Sequence, residues 1–240
     1  MKKDKLFDSE TVDEDFSFND NVAEVFDDML NRSIPFYGHV IDGITELTRQ
    51  LAPPSATVYD LGCSTGTTLL ELARRLKEMN LRFTGIDNAP AMIDKARRKA
   101  EMYSTGSAIT FYEDDITTAD LPDAAVIICN YTLQFIRPMI RPQFIRRIYD
   151  SLPENGLFFL SEKVINHDKR LNRTYIDMYH SFKRQQGYSE LEISAKRESL
   201  ENVLVPFSID ENLDLVRQTG FTSVEPFFQW FNFVSLIAIK

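Results

Sequence analysis

The sequence has little of what several protein classes depend on. Among its 240 residues there are two cysteines, Cys63 and Cys129, and three histidines, His39, His167 and His180. Two cysteines cannot staple a disulfide framework, and both read as reduced thiols. The histidines show no metal-ligand spacing with each other or with the cysteines, so no metal is expected. Long apolar runs are missing too. Met1-Lys2-Lys3-Asp4-Lys5 is followed by no hydrophobic stretch, so neither a signal peptide nor a membrane span is expected, and the cytoplasm is the expected compartment. Positive charge is in deficit: 27 Lys and Arg stand against 36 Asp and Glu, a net charge of −9. That argues against direct nucleic-acid binding, which relies on neutralising many phosphates. The one basic stretch, Arg137 and Arg141 with Arg146 and Arg147, reads as a solvated helix start.

Apolar material is plentiful, at 43% of the chain with 18 Phe, enough for one α/β domain with an appendage. The chain is organised around Thr57-Val58-Tyr59-Asp60-Leu61-Gly62-Cys63-Ser64-Thr65-Gly66. A β-branched and aromatic run ends in a glycine-containing loop, and apolar residues at helical spacing follow (Leu69, Leu72, Ala73, Leu76). Strand, tight turn and helix place a ligand at the carboxyl end of a parallel strand. A dinucleotide fingerprint would need glycine at positions 64 and 67, which are Ser64 and Thr67. The next strand, Arg82 to Asp87, ends in a carboxylate 25 positions after Gly62, suited to both hydroxyls of a ribose. A nucleoside without a phosphate fits best. Asp60-Leu61-Gly62-Cys63-Ser64-Thr65-Gly66 with Ile86-Asp87 resembles the cofactor motifs of class I S-adenosylmethionine-dependent methyltransferases.

Along the chain, residues 1–20 read as loosely ordered until they dock, with scattered Phe7, Phe16 and Phe18. Asn21 opens a helix with Asp27 and Asp28 facing outward, and a second helix runs to Pro53-Pro54. Tyr37, between them, reads either as a core aromatic or as a lid residue facing the ligand. The helix carrying Lys95, Arg97, Arg98 and Lys99 reads as having a solvated basic face. Ile109 to Tyr112, Ala124 to Asn130 and Leu157 to Ser161 complete five strands alternating with helices. Ser208-Ile209-Asp210-Glu211 is a capping box for the last helix, which stops at Gly220 before a closing strand pair. The expected fold is α/β: a doubly wound, mostly parallel seven-stranded sheet of class I methyltransferase type with a helical insertion. Residues 1–56 are read as a helical cap and 57–161 as the cofactor-binding core. Residues 162–207 are read as a helical lid or dimer arm, and 208–240 as the end of the same core.

Further stretches resemble one family over nearly the whole chain: Asn21-Val22-Ala23-Glu24-Val25-Phe26, Arg32-Ser33, Thr132-Leu133-Gln134-Phe135, Leu160-Ser161-Glu162-Lys163, Gly187-Tyr188-Ser189-Glu190-Leu191-Glu192-Ile193-Ser194, Lys196-Arg197 and Leu200-Glu201-Asn202-Val203. The family is the carboxy-S-adenosyl-L-methionine synthases. The resemblance implies an enzyme that carboxylates the methyl carbon of S-adenosylmethionine with prephenate, releasing phenylpyruvate and water. A second enzyme would use the product to modify the wobble uridine of tRNA. It implies that Tyr37, Gly62, Cys63, Ser64, Asp87, Asn88, Asp115, Ile116 and Asn130 line the cofactor. Arg197 would meet the new carboxylate as the one catalytic candidate, and the insertion would support a homodimer. Two other readings stay open: a conventional small-molecule methyltransferase, and a non-catalytic partner subunit that keeps the fold.

Overall fold

The computed structural model describes residues 2–6, 16–103 and 109–240. Its centre is a seven-stranded sheet in the order β3-β2-β1-β4-β5-β7-β6. The strands β1 (Thr57–Leu61), β2 (Arg82–Asp87), β3 (Ile109–Glu113), β4 (Ala124–Asn130) and β5 (Leu157–Lys163) are parallel to one another. Two further strands, β6 (Ser223–Trp230) and β7 (Phe233–Ile239), close the sheet, with β7 antiparallel to both β5 and β6. The helices are α1 (Asp20–Ser33), α2 (Tyr37–Leu51), α3 (Thr67–Arg75), α4 (Pro90–Tyr103), α5 (Arg141–Ser151), α6 (Lys169–Gln185), α7 (Glu190–Leu200) and α8 (Ile209–Thr219).

Helices on both faces explain why β4 is a continuous apolar run: Val126, Ile127, Ile128 and Cys129 are all fully buried. Alternation then divides the core. Val58, Val126, Ile128 and Phe159 pack with α2 and α3 on one face, while Tyr59, Ile127, Cys129 and Phe158 pack with α5 and α8 on the other. The capping box at Ser208 is present, and a second one at Ser189 starts α7. No helix among the described residues is long and apolar enough to cross a membrane.

The structure corrects several readings of charged residues. Asp27 does not face outward: its carboxylate accepts from Lys99 Nζ at 3.0 Å, Thr65 Oγ1 at 2.6 Å and Thr67 Oγ1 at 2.9 Å. Lys99 therefore leaves the supposedly solvated face of α4 to tie α1 and α4 to the loop after β1. Asp28 instead pairs with Arg32 at 3.3 Å. Arg141 is not solvated but 1% exposed, donating to the carbonyls of Ile136 and Val205 at 2.9 and 2.6 Å, with its guanidinium over the Phe207 ring. A planar fork of donors suits a bend rich in free carbonyls. Arg147 serves the helix-free connection between β3 and β4 in the same way, donating to Thr117 and Ala119. That connection also breaks the expected alternation of strands with helices. Α1 begins at Asp20, capped by Asn19 rather than at Asn21. Near the N-terminus, Asp4 is buried, accepting from Tyr188 Oη at 2.5 Å, while its carbonyl accepts from Arg32. Phe18 packs edge-on against Phe26 and Phe135, and Phe7 lies outside the described residues.

Candidate functional site

The carboxyl ends of β1, β2, β4 and β5, together with α1, α6 and α7, enclose a cavity of about 700 Å³. All ten residues singled out in the sequence line it: Tyr37, Gly62, Cys63, Ser64, Asp87, Asn88, Asp115, Ile116, Asn130 and Arg197. They do so through different local devices.

Gly62 has φ +76°, and a Cβ there would stand 2.4 Å from Thr132 Cγ2, so only glycine fits the turn. The turn brings one backbone amide to Asp87, and the chain just after Asp87 brings another. Ser64 N donates to its Oδ2 and Ala89 N to its Oδ1, each at 2.9 Å. Each oxygen keeps a further acceptor site, as two vicinal hydroxyls would need. Burial raises the Asp87 carboxyl, and the amides of Ala89, Ser64 and Asn88 work against that rise. Asp115 sits at the open end of the cavity, its Oδ1 held by Thr117 N and Oγ1 at 2.8 Å each, with Ile116 beside it. Tyr37 combines both of its readings: it is buried in the core and also lines the cavity. Its hydroxyl lies 3.4 Å from Thr68 Oγ1, which also accepts from Asn130 Nδ2 at 3.3 Å. Burial pushes the Cys63 thiol well above its ordinary value, which leaves it an inert lining residue.

Arg197 lines the cavity of its own chain from an exposed position on α7. It makes no ion pair with Glu201 among the described residues.

Sequence reasoning passed over two further sets of residues. Asp60 is 1% exposed on β1, and its Oδ1 has no partner among the described residues. Burial, with the charge of Asp87 added, pushes its carboxyl up to about 8. An acid inside the otherwise apolar strand Tyr59-Asp60-Leu61 was the available signal. The second set is cationic: Lys163 at the end of β5, His180 and Lys183 on α6, and Lys196 on α7. Burial lowers His180, and the charges of Lys183, Lys163 and Arg197 lower it further. The lysines were hidden because residues 162–207 read only as a helical insertion, and the tertiary fold alone decides which of its side chains enter the cavity.

The cavity is thus electrically divided. Asp60, Asp87 and Asp115 stand over β1 to β3, and Lys163, Lys183, Lys196 and Arg197 stand beyond β4, on β5, α6 and α7, with Glu201 just after α7 beside them. A nucleoside with a cationic group suits the first half: Asp60 offers an unpaired buried acceptor to a positive charge, and Asp87 offers two to a ribose. The second half suits an anion. Among the described residues, no group of three or more His, Cys, Asp or Glu could hold a metal ion.

A methyltransferase-domain family model matches residues 58–156. A carboxy-S-adenosyl-L-methionine synthase from Desulfotalea psychrophila is 54% identical over 239 residues, covering 100% of this chain and 98% of that one. One from Nitratiruptor sp. is 44% identical over 240 residues, covering 100% and 99%. Among solved structures, an O-methyltransferase family protein from Burkholderia thailandensis superposes with a TM-score of 0.66 at 20% identity. It covers 92% of this chain, which spans 60% of that protein's length. At that identity the likeness shows the fold, the class I methyltransferase sheet.

Proposed function

The chain belongs to the carboxy-S-adenosyl-L-methionine synthase family, transferases that make carboxy-S-adenosyl-L-methionine from S-adenosyl-L-methionine, and on that premise we propose that its carboxyl donor is prephenate. The observation that carries this reading is the divided cavity. A methyltransferase for a neutral acceptor has no use for three lysines lining its cavity, whereas a dicarboxylate co-substrate does.

On this reading Asp87 holds the ribose, Asp115 and Ile116 border the adenine, and Asp60 faces the cationic end of the substrate. The sulfonium acidifies its methyl group. Loss of a methyl proton gives an ylide. Prephenate loses its ring carboxylate as carbon dioxide and its ring hydroxyl as hydroxide, and so becomes phenylpyruvate. The ylide carbon bonds to the carbon dioxide, and the hydroxide takes the methyl proton to leave as water, so atoms and charge balance. The protein's part is to orient both substrates and exclude bulk water, because a free ylide would be quenched by solvent. Arg197, at the rim, meets the new carboxylate with two parallel donors.

The product would serve wobble-uridine modification of tRNA by another enzyme, and the net charge of −9 suits a protein that does not itself hold the tRNA. The reading includes a homodimer that covers the apolar side chains of Leu171 and Leu191, 49% and 42% exposed on the insertion. It also includes a cytoplasmic site of action.

The test is mass spectrometry of the nucleosides formed when the protein is incubated with S-adenosylmethionine and prephenate. A species one carbon dioxide heavier than the substrate is expected, dependent on prephenate. If only unchanged or demethylated substrate is found, the conventional methyltransferase is favoured.

A further inference from the structure

Lys163 and Lys183 come from different elements, the end of β5 and the last turns of α6, and they converge on one ring. Their ammonium groups lie 5.2 and 5.0 Å from the centroid of Tyr179. Both line the cavity, and Lys183 is only 5% exposed. Neither forms an ion pair among the described residues. Asp4, the acid whose field reaches Lys183, is bonded to Tyr188 instead. Lys196 differs in that its ammonium donates to Ser33 at 3.1 Å. Burial lowers both ammonium groups, Lys183 well below its ordinary value with the charges of Lys196 and Lys163 adding to the fall, so keeping both protonated without a counter-ion is costly to the folded protein. Such an arrangement is retained where a ligand supplies the missing negative charge.

We infer that Lys163 and Lys183, braced on the Tyr179 ring, form the subsite for the 2-oxo-acid carboxylate of the donor, the one that remains in phenylpyruvate. This rests on the reading of prephenate as donor and goes beyond it by assigning each carboxylate a different environment. A carboxylate that must depart as neutral carbon dioxide gains nothing from ammonium pairing, since the contact would hold the ground state and weaken toward the transition state. The carboxylate that stays has no such conflict. Anchoring it at the basic wall turns the ring, with its departing carboxylate, toward the half of the cavity where the methyl group lies. His180 lines the same region, its imidazole lowered by burial and further by the charges of Lys183, Lys163 and Arg197.

The experiment compares wild type with Lys163→Met and Lys183→Met, each of which keeps the aliphatic stem. Four quantities are measured: the KM for prephenate, kcat, inhibition by phenylpyruvate, and the Kd for S-adenosylmethionine. Phenylpyruvate is informative because it retains the anchored carboxylate and lacks the departing one. Each variant should raise both the prephenate KM and the phenylpyruvate inhibition constant about tenfold or more, the effect of losing one charge-assisted hydrogen bond. The Kd for S-adenosylmethionine should stay unchanged, which also shows that the variant is folded. A raised prephenate KM with unaltered phenylpyruvate inhibition would move the lysines to the departing carboxylate and overturn the assignment. A weakened S-adenosylmethionine affinity alone would give them to that substrate's own carboxylate and overturn it equally. If a variant fails to fold, the other, on a separate element, decides. Wild type that makes no carboxylated product from prephenate refutes the donor, whereas active wild type with unaltered variants refutes only this subsite.

Discussion

Asp60 and Asp87 stand near the carboxyl ends of neighbouring parallel strands and face one cavity, and the charge of Asp87 adds to burial in pushing the Asp60 carboxyl up to about 8. Within this pair the roles divide. Asp87, satisfied by two backbone amides, is built to accept hydroxyls, while Asp60, with a free oxygen, is poised to lose a proton when a cation arrives.

Binding of S-adenosylmethionine at pH 7 is therefore expected to release a proton from Asp60. A cationic ligand favours the carboxylate, so affinity should rise with pH between about 6 and 8, toward a tenfold change per pH unit. Calorimetry in buffers of different ionisation enthalpy measures the release. The release attributable to this group should vanish in Asp60→Asn, and an identical proton count in both proteins would contradict the assignment.

Asp87→Ala should weaken S-adenosylmethionine binding by ~1.5–3 kcal/mol for each charge-assisted bond lost. It should also lower stability, because the Ser64 and Ala89 amides lose their acceptor. Asp87→Asn keeps an acceptor for one of the two amides and sets its own NH2 against the other, so its melting temperature should fall less than that of Asp87→Ala while its affinity still falls. Unchanged affinity on titration would remove Asp87 from the ribose site.

Arg197→Ala and Arg197→Lys should both erode preference for the carboxylated ligand. A lysine keeps the charge but cannot offer two parallel donors to one carboxylate. The quantity to measure is the ratio of the dissociation constants of carboxy-S-adenosylmethionine and S-adenosylmethionine. A ratio that does not change with the substitution would make Arg197 a rim charge without a role in recognition.

The Asp27–Lys99 pair should govern acid stability. Burial alone would raise the Asp27 carboxyl, but the Lys99 charge and the hydroxyls of Thr65 and Thr67 outweigh it and hold it below its ordinary 3.8. A carboxyl lower in the folded state gives stability that is present above 3.8 and lost as pH falls through the folded value. Lys99→Met leaves the carboxylate partly buried and unpaired, at a cost of about 3 kcal/mol. Asp27→Leu with Lys99→Met should recover much of that. Urea titrations at pH 7 and pH 3 check both points.

The strands and most helices were legible in the sequence because burial on both faces of a sheet writes itself as continuous apolar runs, as in Val126 to Cys129. The loop after β1 was legible because its glycine and its acid have local jobs. Charged residues were misread when their partners were distant: Lys99 meets Asp27 across 72 positions, Arg141 meets Val205 across 64, and Tyr188 meets Asp4 across 184. Local pattern sees only a charge and assigns it to solvent. The lysines on β5 and α6 went unnoticed because what marks them is the lack of a partner, which no single stretch displays, whereas Asp60 carried a local signal as an acid inside an apolar strand.

The interior place of β7 bears on how the protein is made. Of the seven strands it is the last to be synthesised, yet it lies between β5 and β6 and supplies the hydrogen-bonding edge for both. Until the ribosome has released Phe233–Ile239, the apolar edge of β5 is open and β6 has no neighbour, a state prone to strand-to-strand aggregation. The sheet is therefore complete only once its last strand in sequence is inserted between its two neighbours. A chain that ended after β6 would leave β5 and β6 without the strand that joins them.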